Sequence, residues 1–429
     1  MPKRHPELDA SRHSGVWRQE RHSPESHADA TSRHSGLDPE SLPKPASSRA
    51  ERLASFHLDD FPLPTRKQEE WRFAPLFEPN HDGEAITMDV ALAPEVTAEV
   101  VPADDPRLGL CGAPTDRAAA AGWEASRQAV VITIPAHTTA TEPTTATVNG
   151  HSRHSGVWRQ GRHSPESLAA QAASKLLVIA EPGSRAIVVV DHHGAARFNE
   201  TIEIAVGEGA TLTVVSIQDW APSAVHVASH RALLAKDASL KHVVATFGGR
   251  AVRITPDAVL AEPGAHIESV GLYFADAGQY QEHRLFVDHA APNCYSRVTY
   301  KGALQGEGTH TAWVGDVLIQ AQATGTDTYE LNRNLVLTKG ARADSVPNLE
   351  IETGEIAGAG HASATGRFDD EQLFYLMARG IPEAQARELV VHGFFAELIS
   401  EIGVPQIEQR LLTRIAAELA AGVNTDKEH

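Results

Sequence analysis

Small-residue turns recur at nearly even intervals through the middle of this chain, and short apolar runs of strand length flank each of them. The turns read EPGSR at 181–185, GEGAT at 207–211, KDASL at 236–240, EPGAH at 262–266 and APNCY at 291–295. Taken at Gly183, Gly209, Ala238, Gly264 and Pro292, their spacings are 26, 29, 26 and 28 residues. A steady period built from short β runs is typical of a solenoid whose coils stack on one another. An antiparallel sandwich also has short strands, but it does not require this spacing.

The period therefore predicts a mainly β fold, a right-handed parallel β-helix, with N-terminal and C-terminal helical regions. The predicted β-helix core spans 128–367, between a helical or mixed region at 51–127 and a C-terminal helical domain at 368–421. Residues 422–429 are predicted to be a polar tail. Because each coil leaves its apolar edge open until another coil covers it, we expect both ends of the stack to be capped, the C-terminal end by helices.

Residues 1–50 are rich in Ser, His, Arg and Pro, and they contain too few aliphatic side chains to offset the entropy of ordering, which predicts disorder. A 16-residue stretch at 11–26 returns at 152–167 with one difference. Near-identity without a fixed period is not typical of structural repeats, so we interpret 152–167 as a loop inserted into the core. The alternative is a metal-binding tether that uses His13, His22, His154 and His163.

Helical segments are predicted on both sides of the strands. Before them, Thr65 can cap a short helix over Arg66–Phe73, in which Trp71 is expected to be a core anchor. After them, the stretch 368–380 has Asp369 or Asp370 as a candidate N-cap and a glycine suited to its C-terminal end. Two longer helices with apolar faces are predicted to follow it over 383–402 and 405–421.

The composition argues against several classes of protein. A formal charge of −18 disfavours nucleic acid and anionic membranes as partners. No stretch has the roughly 18–20 apolar residues that a membrane helix needs, and the N-terminus lacks the apolar core of a signal peptide. Two cysteines, Cys111 and Cys294, form neither a disulfide framework nor a CxxC zinc pair. A reduced, cytoplasmic compartment is the expectation.

No catalytic motif stands out. The phosphate-binding motif GxxxxGK[ST] and the nucleophile motif GxSxG are both missing, so we expect no ATP hydrolysis by this chain itself. Some β-solenoids are polysaccharide lyases or hydrolases, and fold alone does not exclude that class. Such an enzyme needs clustered carboxylates, whereas the candidates here are scattered: Asp276, Asp288, Asp316 and Asp327.

Three long stretches resemble the SufB/SufD family of iron–sulfur cluster assembly proteins. They read HAAPNCYSRVTYKGAL at 289–304, NRNLVLTKGARADSVPNLEI at 332–351 and GHASATGRFDDEQLFYLMARGI at 360–381. The stretch PTRKQEEWRF at 64–73 is also similar to the family. The stretch NLEIETGEI and the small number of cysteines favour the SufD branch of the family. The cluster-bearing SufB branch is the alternative.

The resemblance implies a non-catalytic scaffold subunit of a SufBCD-type complex. Such a subunit pairs with a SufB-like β-helix protein, binds a SufC-like ATPase, and helps to pass iron–sulfur clusters to apo-proteins or carriers. It would hold no cofactor stably by itself, only a nascent cluster at the interface with the SufB-type subunit. The resemblance assigns ATPase docking to the C-terminal helices, here to Leu389, Phe394, Leu398, Ile402, Leu411 and Ile415. The alternative is that these apolar faces only cover the end of the solenoid.

The resemblance also singles out His361 as the candidate that holds the nascent cluster, since imidazole is a suitable iron ligand. The alternative is a hydrogen-bonded histidine at the end of the solenoid. Some relatives have a cysteine just before this histidine, where this chain has Gly358, Ala359 and Gly360. Cys294 is a weaker candidate, because a free cysteine in a turn is more often a small buried residue.

Overall fold

A computed structural model of the chain describes residues 49–75, 86–150, 168–171 and 173–425. The inserted repeat at 152–167 lies outside the described residues, and so does the predicted disordered extension except for its last two residues. Those two, Arg49 and Ala50, are not disordered, because they open a 3-10 helix at Arg49–Glu51. No helix in the described ranges is long and apolar enough to cross a membrane.

Strands dominate the described residues and form two sheets, one of ten strands and one of nine, here called sheet A and sheet B. Their bounds are β1 Ile86–Ala91, β2 Thr97–Pro102, β3 Gln128–Ile134, β4 Thr144–Gly150, β5 Leu168–Gln171, β6 Ala173–Ala180, β7 Arg185–Gly194, β8 Arg197–Val206, β9 Thr211–Trp220, β10 Val225–Leu234, β11 Ser239–Gly248, β12 Ala251–Leu260, β13 His266–Ala275, β14 Tyr280–His289, β15 Tyr295–Leu304, β16 His310–Ile319, β17 Asp327–Val336, β18 Arg342–Ile351 and β19 Gly358–Arg367.

From β6 onward the chain alternates between the sheets. The even-numbered strands β6 to β18 lie in order in sheet B, and the odd-numbered strands β7 to β19 lie in order in sheet A. Each strand pairs in parallel with the strand two places further along the chain. These fourteen strands make about seven coils of a parallel β-solenoid. The predicted β-helix is therefore confirmed.

The recurring turns of the sequence stack along one corner of the solenoid. Within each turn one residue has positive φ, as at Gly209 (63°), Asp237 (53°) and Gly264 (78°). The N–H of each donates to a carbonyl in the turn of the next coil: Gly209 to Lys236 at 2.9 Å, Asp237 to Pro263 at 3.1 Å and Gly264 to Pro292 at 3.2 Å. Gly, Asp and Asn tolerate this left-handed conformation best, which explains why such residues mark the period.

The interior of the solenoid is built from columns of side chains. Side chains alternate between the two faces of a strand, and the strands are in register, so each inward position repeats from coil to coil. Most columns are apolar and form the main core. One column is largely polar and contains, in order, His192, Gln218, Thr246, Tyr273, Gly302, Asn334 and Thr365.

The C-terminal helices are α2 Asp370–Ala378, α3 Glu383–Ser400 and α4 Pro405–Thr425, and an earlier helix, α1, spans Arg117–Ala125. Helices α2 to α4 do not cap the solenoid as predicted, because they pack along the outer face of sheet A. That face is itself apolar, with Val215, Phe247 and Leu272 all buried against helix residues. Covering it removes a large apolar area from water. The predicted tail also begins too early, since α4 continues to Thr425.

One prediction for the N-terminal region is wrong. No α-helix forms over Arg66–Phe73, where the structure has only a three-residue 3-10 helix at Glu69–Trp71 without a side-chain cap. The carbonyls of Glu69 and Glu70 instead accept hydrogen bonds from solenoid arginines, and Trp71 is buried at 3% exposure as the expected anchor. The mixed region before residue 128 also contributes strands, because β1 and β2 pair antiparallel with β4 and β3.

Candidate functional site

The solenoid ends at β18 and β19, and among the described residues neither strand pairs with another strand on its outer side. The residues of β18 are half-buried along most of its length, and those of β19 are mostly exposed. Because the helices lie on the flank, the last coil has two unpaired ten-residue edges and an uncovered interior layer. We call this region the open end.

His361 lies in the interior layer of the open end. Its strand neighbour is Glu330, and Glu330 faces the inside of the solenoid. Residues paired in parallel register point to the same face of a sheet, so His361 also points inward. It is nevertheless exposed, because no further coil covers it. The position predicted from the sequence is therefore accessible from solvent.

Glu330 is a group that the sequence reasoning missed. Its side chain is 1% exposed, and neither carboxyl oxygen accepts a hydrogen bond from the described part of the chain. Burial, with a smaller contribution from the nearby Asp316 carboxylate, raises the pKa of Glu330 to about 8. A glutamate in an otherwise ordinary strand carries no sequence signal of this kind, since its partner lies 31 residues away in the chain.

The two cysteines are not near-surface thiols. Cys294 is 1% exposed and donates a weak hydrogen bond to the Glu262 carbonyl at 3.4 Å, and burial raises the pKa of its thiol. Burial also raises the pKa of Cys111 to about 12. Thiolates are the metal-binding form, so both environments disfavour a ligand role. At the open end, the inward position two residues before His361 is Ala359, which offers no thiol.

The structure separates the six predicted docking residues into two groups. Leu389 is 53% exposed and Phe394 is partly buried. The other four, Leu398, Ile402, Leu411 and Ile415, are at most 3% exposed. These four belong to the cluster between the helices and sheet A, so in this structure they face the solenoid and not solvent. Spacing identified an apolar helix face correctly but could not say what covers it.

An exposed apolar patch lies on α2 and the start of α3, and most of it was not predicted. Phe374, Tyr375 and Met377 are 73%, 56% and 42% exposed, and Leu389 completes the set. The sequence does contain a signal, because LFYLM at 373–377 is apolar at five consecutive positions. A helix on a protein flank can bury only one stripe of such a run, so some of these side chains must face solvent.

A buried group of three possible metal ligands, His192, Glu200 and His226, lies inside the early coils. His192 Nδ1 lies 2.9 Å from the Ile217 carbonyl, and its Nε2 lies 2.9 Å from Glu200 Oε2. Burial opposes both charges, but mutual attraction outweighs it, raising the pKa of His192 and lowering that of Glu200. The pair is therefore a buried imidazolium–carboxylate ion pair.

The third member of this group argues against a metal. The Trp220 indole N–H donates to His226 Nδ1 at 3.1 Å, so a neutral His226 carries its proton on Nε2. That Nε2 lies 3.5 Å from Glu200 Oε2. A metal ion needs an imidazole lone pair, and in this arrangement both Nε2 atoms that face Glu200 hold protons. We interpret the group as a structural ion pair with a neutral histidine beside it.

The scattered carboxylates do not come together as a sugar-cleaving site. Asp288 accepts from Gln320, and Asp316 accepts from Asn348. Asp327 forms an ion pair with Arg297 at 3.0 Å, and Asp276 accepts from a neighbouring backbone N–H. Each is thus occupied by a different local partner.

Comparison with known proteins agrees with the fold. Residues 163–394 match the family described as SUF system FeS cluster assembly, SufBD core domain. An iron–sulfur cluster assembly SufBD family protein of Mycobacterium tuberculosis is 49% identical over 395 residues, which cover 89% of this chain and 96% of the relative. One from Mycobacterium leprae is 47% identical over 387 residues, covering 87% and 95%. The iron–sulfur cluster assembly protein SufD of Escherichia coli is 29% identical over 231 residues, covering 54% and 53%. This chain therefore belongs to the SufB/SufD family of iron–sulfur cluster assembly proteins.

Proposed function

We propose that this protein is the SufD-type, non-catalytic scaffold subunit of a SufBCD-type complex. It would pair through its open end with a SufB-type β-helix subunit and bind a SufC-type ATPase through its C-terminal helices. The complex would assemble an iron–sulfur cluster as its product at the interface between the β-helices and pass it to apo-proteins or carriers. We place this work in the cytoplasm, where thiols such as the two unpaired cysteines stay reduced.

The observation that carries the proposal is the open end. Unpaired strand edges are templates for pairing with another chain, and proteins that do not use them normally shorten, twist or cover them. Here β18 and β19 are each ten residues long, and the helices that could cover them lie elsewhere. A second solenoid could continue both sheets by adding strands to these edges.

The burial of both cysteines supports the SufD-type role over the SufB-type role. A subunit that carries sulfur or ligates a cluster through cysteine needs an accessible thiol with thiolate character. Cys111 and Cys294 are 7% and 1% exposed, and burial raises the pKa of both. Thiolate ligands would then come from the partner subunit, with His361 as the contribution of this chain.

For ATPase docking we propose the exposed patch of Phe374, Tyr375, Met377 and Leu389 in place of the buried helix faces. Aromatic residues and methionine are enriched at protein–protein interfaces relative to other surfaces. The patch lies on α2 and α3, and α4, which contacts α3, is anchored to the solenoid by a two-bond ion pair from Arg410 to Asp191, at 2.6 and 2.8 Å. Movement of the bound ATPase would therefore be transmitted to sheet A.

Co-expression of the full, tagged chain with its SufB-type and SufC-type partners tests the proposal. Ile351→Glu places a charge on the 43%-exposed end of β18 and should abolish recovery of the SufB-type subunit. Phe374→Glu should reduce recovery of the ATPase and leave the SufB-type subunit in place. Leu110→Glu, a 52%-exposed residue beside the early coils, is the matched control and should recover both. If the unmodified chain recovers neither partner, the proposal is wrong.

His361→Ala tests the cluster step separately. The complex should assemble normally, because alanine removes no backbone pairing from β19. Anaerobic reconstitution followed by iron and sulfide analysis should then give a lower cluster yield. An unchanged yield would remove His361 from the assembly step without touching the scaffold role.

A further inference from the structure

The interior layer just below the open end contains a carboxyl group that the fold leaves without a hydrogen-bond partner among the described residues. Buried polar groups are nearly always hydrogen-bonded, since desolvating them without a partner is costly. Glu330 breaks this rule with both oxygens, at 1% exposure. Other inward polar side chains of β17 do find partners: Thr328 bonds to Ser296 at 2.6 Å, and the Asn332 amide donates to Tyr273 at 3.0 Å.

The surroundings of Glu330 keep its carboxyl group in place. Across the interior lies Gly315 of β16, and a Cβ there would lie 2.5 Å from Glu330 Oε1. The same Cβ would lie 2.4 Å from the Trp313 ring, so indole and carboxyl together fill the space that the glycine leaves. The layer above Glu330, toward the open end, contains His361.

The position of Glu330 relative to His361 indicates that its carboxyl oxygens could bind a metal ion. The two residues are direct neighbours in parallel strands, on the same inward face, about 5 Å apart at their backbones. Imidazole nitrogen and carboxylate oxygen are both iron ligands and occur together in iron sites. One of the two side chains is open to solvent and the other is buried directly beside it.

We propose that Glu330 is a second metal ligand beside His361, so that the open end binds ferrous iron through one carboxylate oxygen and one imidazole nitrogen. The inference rests on the proposed function, which assigns His361 to cluster assembly. Two ligands leave the remaining coordination positions to water, sulfide or donors of the SufB-type subunit. The buried, unsatisfied carboxyl group is then explained as a ligand that is complete only when the metal is present.

The test is metal binding by the full chain, measured without oxygen by calorimetry and visible absorption with Co²⁺ as the probe for Fe²⁺. Removing partners of metal ligands typically weakens affinity by 10- to 100-fold, so loss of a direct ligand should weaken it at least about tenfold. Glu330→Gln and His361→Ala should both show that loss. Glu330→Asp keeps a carboxylate on a shorter side chain and should cause a smaller loss of affinity. Glu355→Gln, an exposed carboxylate in the turn before β19, is the matched control and should bind as the unmodified chain does.

The outcomes separate this inference from the function on which it rests. If His361→Ala weakens Co²⁺ binding but Glu330→Gln does not, Glu330 is not a ligand and the role of His361 stands. If the unmodified chain binds no Co²⁺, the two-residue site is refuted, while partner recovery still decides the scaffold function. Thermal melting checks that the Glu330→Gln variant folds. If this variant does not fold, the Glu330→Asp variant decides, and an unchanged affinity for Co²⁺ in that variant refutes the inference.

Discussion

Buried histidines should make the stability of this protein fall steeply in mild acid. Burial lowers the pKa of His226, His242 and His289 to about 4 and that of His283 to about 3, from an ordinary value of 6.5. All four side chains point into the solenoid and are at most 3% exposed. They stay neutral in the folded protein at pH values where the unfolded chain takes up protons.

The size of the effect follows from these pKa values. Above pH 6.5 each histidine is neutral in both states and makes no difference to stability. As the pH falls below 6.5 the unfolded chain binds protons that the folded protein cannot, so the free energy of unfolding decreases until the folded pKa is reached. At pH 5 the loss is about 2 kcal/mol for each histidine. Four such losses add up to about 8 kcal/mol, which lies within the roughly 5–15 kcal/mol typical for the free energy of unfolding of a domain.

Urea unfolding at pH 7 and pH 5, followed by circular dichroism, measures this loss. One histidine can be isolated with His283→Gln, whose amide can replace the hydrogen bond between His283 Nε2 and Thr246 Oγ1 at 2.8 Å. This variant should lose about 2 kcal/mol less than the unmodified protein between the two pH values. His392→Gln, at an exposed histidine of α3, is the matched control and should lose as much as the unmodified protein.

The ion pair of His192 and Glu200 changes stability with pH in the opposite direction from the neutral histidines. The raised pKa of His192 contributes stability that is fully present below pH 6.5 and is lost at higher pH. It therefore offsets part of the acid loss, but it is the same in the unmodified protein and in His283→Gln. If unfolding free energy is equal at pH 7 and pH 5, or if His283→Gln keeps the full acid loss, the reasoning about buried neutral histidines is refuted.

Two further predictions concern packing and the insertion. Gly302→Ala should destabilise the protein by about 1–3 kcal/mol or more in urea unfolding, because its Cβ would lie 1.9 Å from the Tyr273 ring. Gly354→Ala, with no atom within 4 Å, is the control, and equal stability of the two variants would contradict this packing argument. Replacing 152–167 by a short Gly/Ser linker should change stability by less than about 1 kcal/mol, since loop length has a weak effect. A larger loss would contradict the interpretation of 152–167 as an inserted loop, because β4 and β5 at its two ends already pair with β1.

The turn period was the strongest sequence signal because it reflects a local conformational requirement of the backbone. Each coil needs one left-handed residue at the same corner, and only a few residue types accept that conformation without strain. The markers were correct to within one residue: Asp237 and Asn293 have positive φ where the period was counted at Ala238 and Pro292. The prediction of an α-helix over Arg66–Phe73 was wrong in a segment whose carbonyls also accept hydrogen bonds from Arg253 and Arg284, two residues that are distant in the chain and give no local signal.

Only one of the two proposed metal ligands could be identified from the sequence. Resemblance identified His361, but Glu330 becomes its neighbour only when β17 and β19 pair in register. The structure places Leu398, Ile402, Leu411 and Ile415 against sheet A, which spacing alone could not predict, because it shows that a helix face is buried without showing against what. Sheet A supplies that surface, and its outward apolar residues, such as Val189 and Val215, come from strands far from the helices in the chain.

By itself, the amino-acid sequence determined that this chain coils into stacked parallel strands, because turn chemistry and strand length act over a few residues and repeat. It also indicated the family, through sequence similarity that extends across most of the chain. Only the tertiary structure decided that the C-terminal helices lie on the flank and leave the last coil open. That choice depends on which of two apolar surfaces, the outer face of sheet A or the end of the solenoid, buries more area against the helices, and no local stretch of residues contains this comparison.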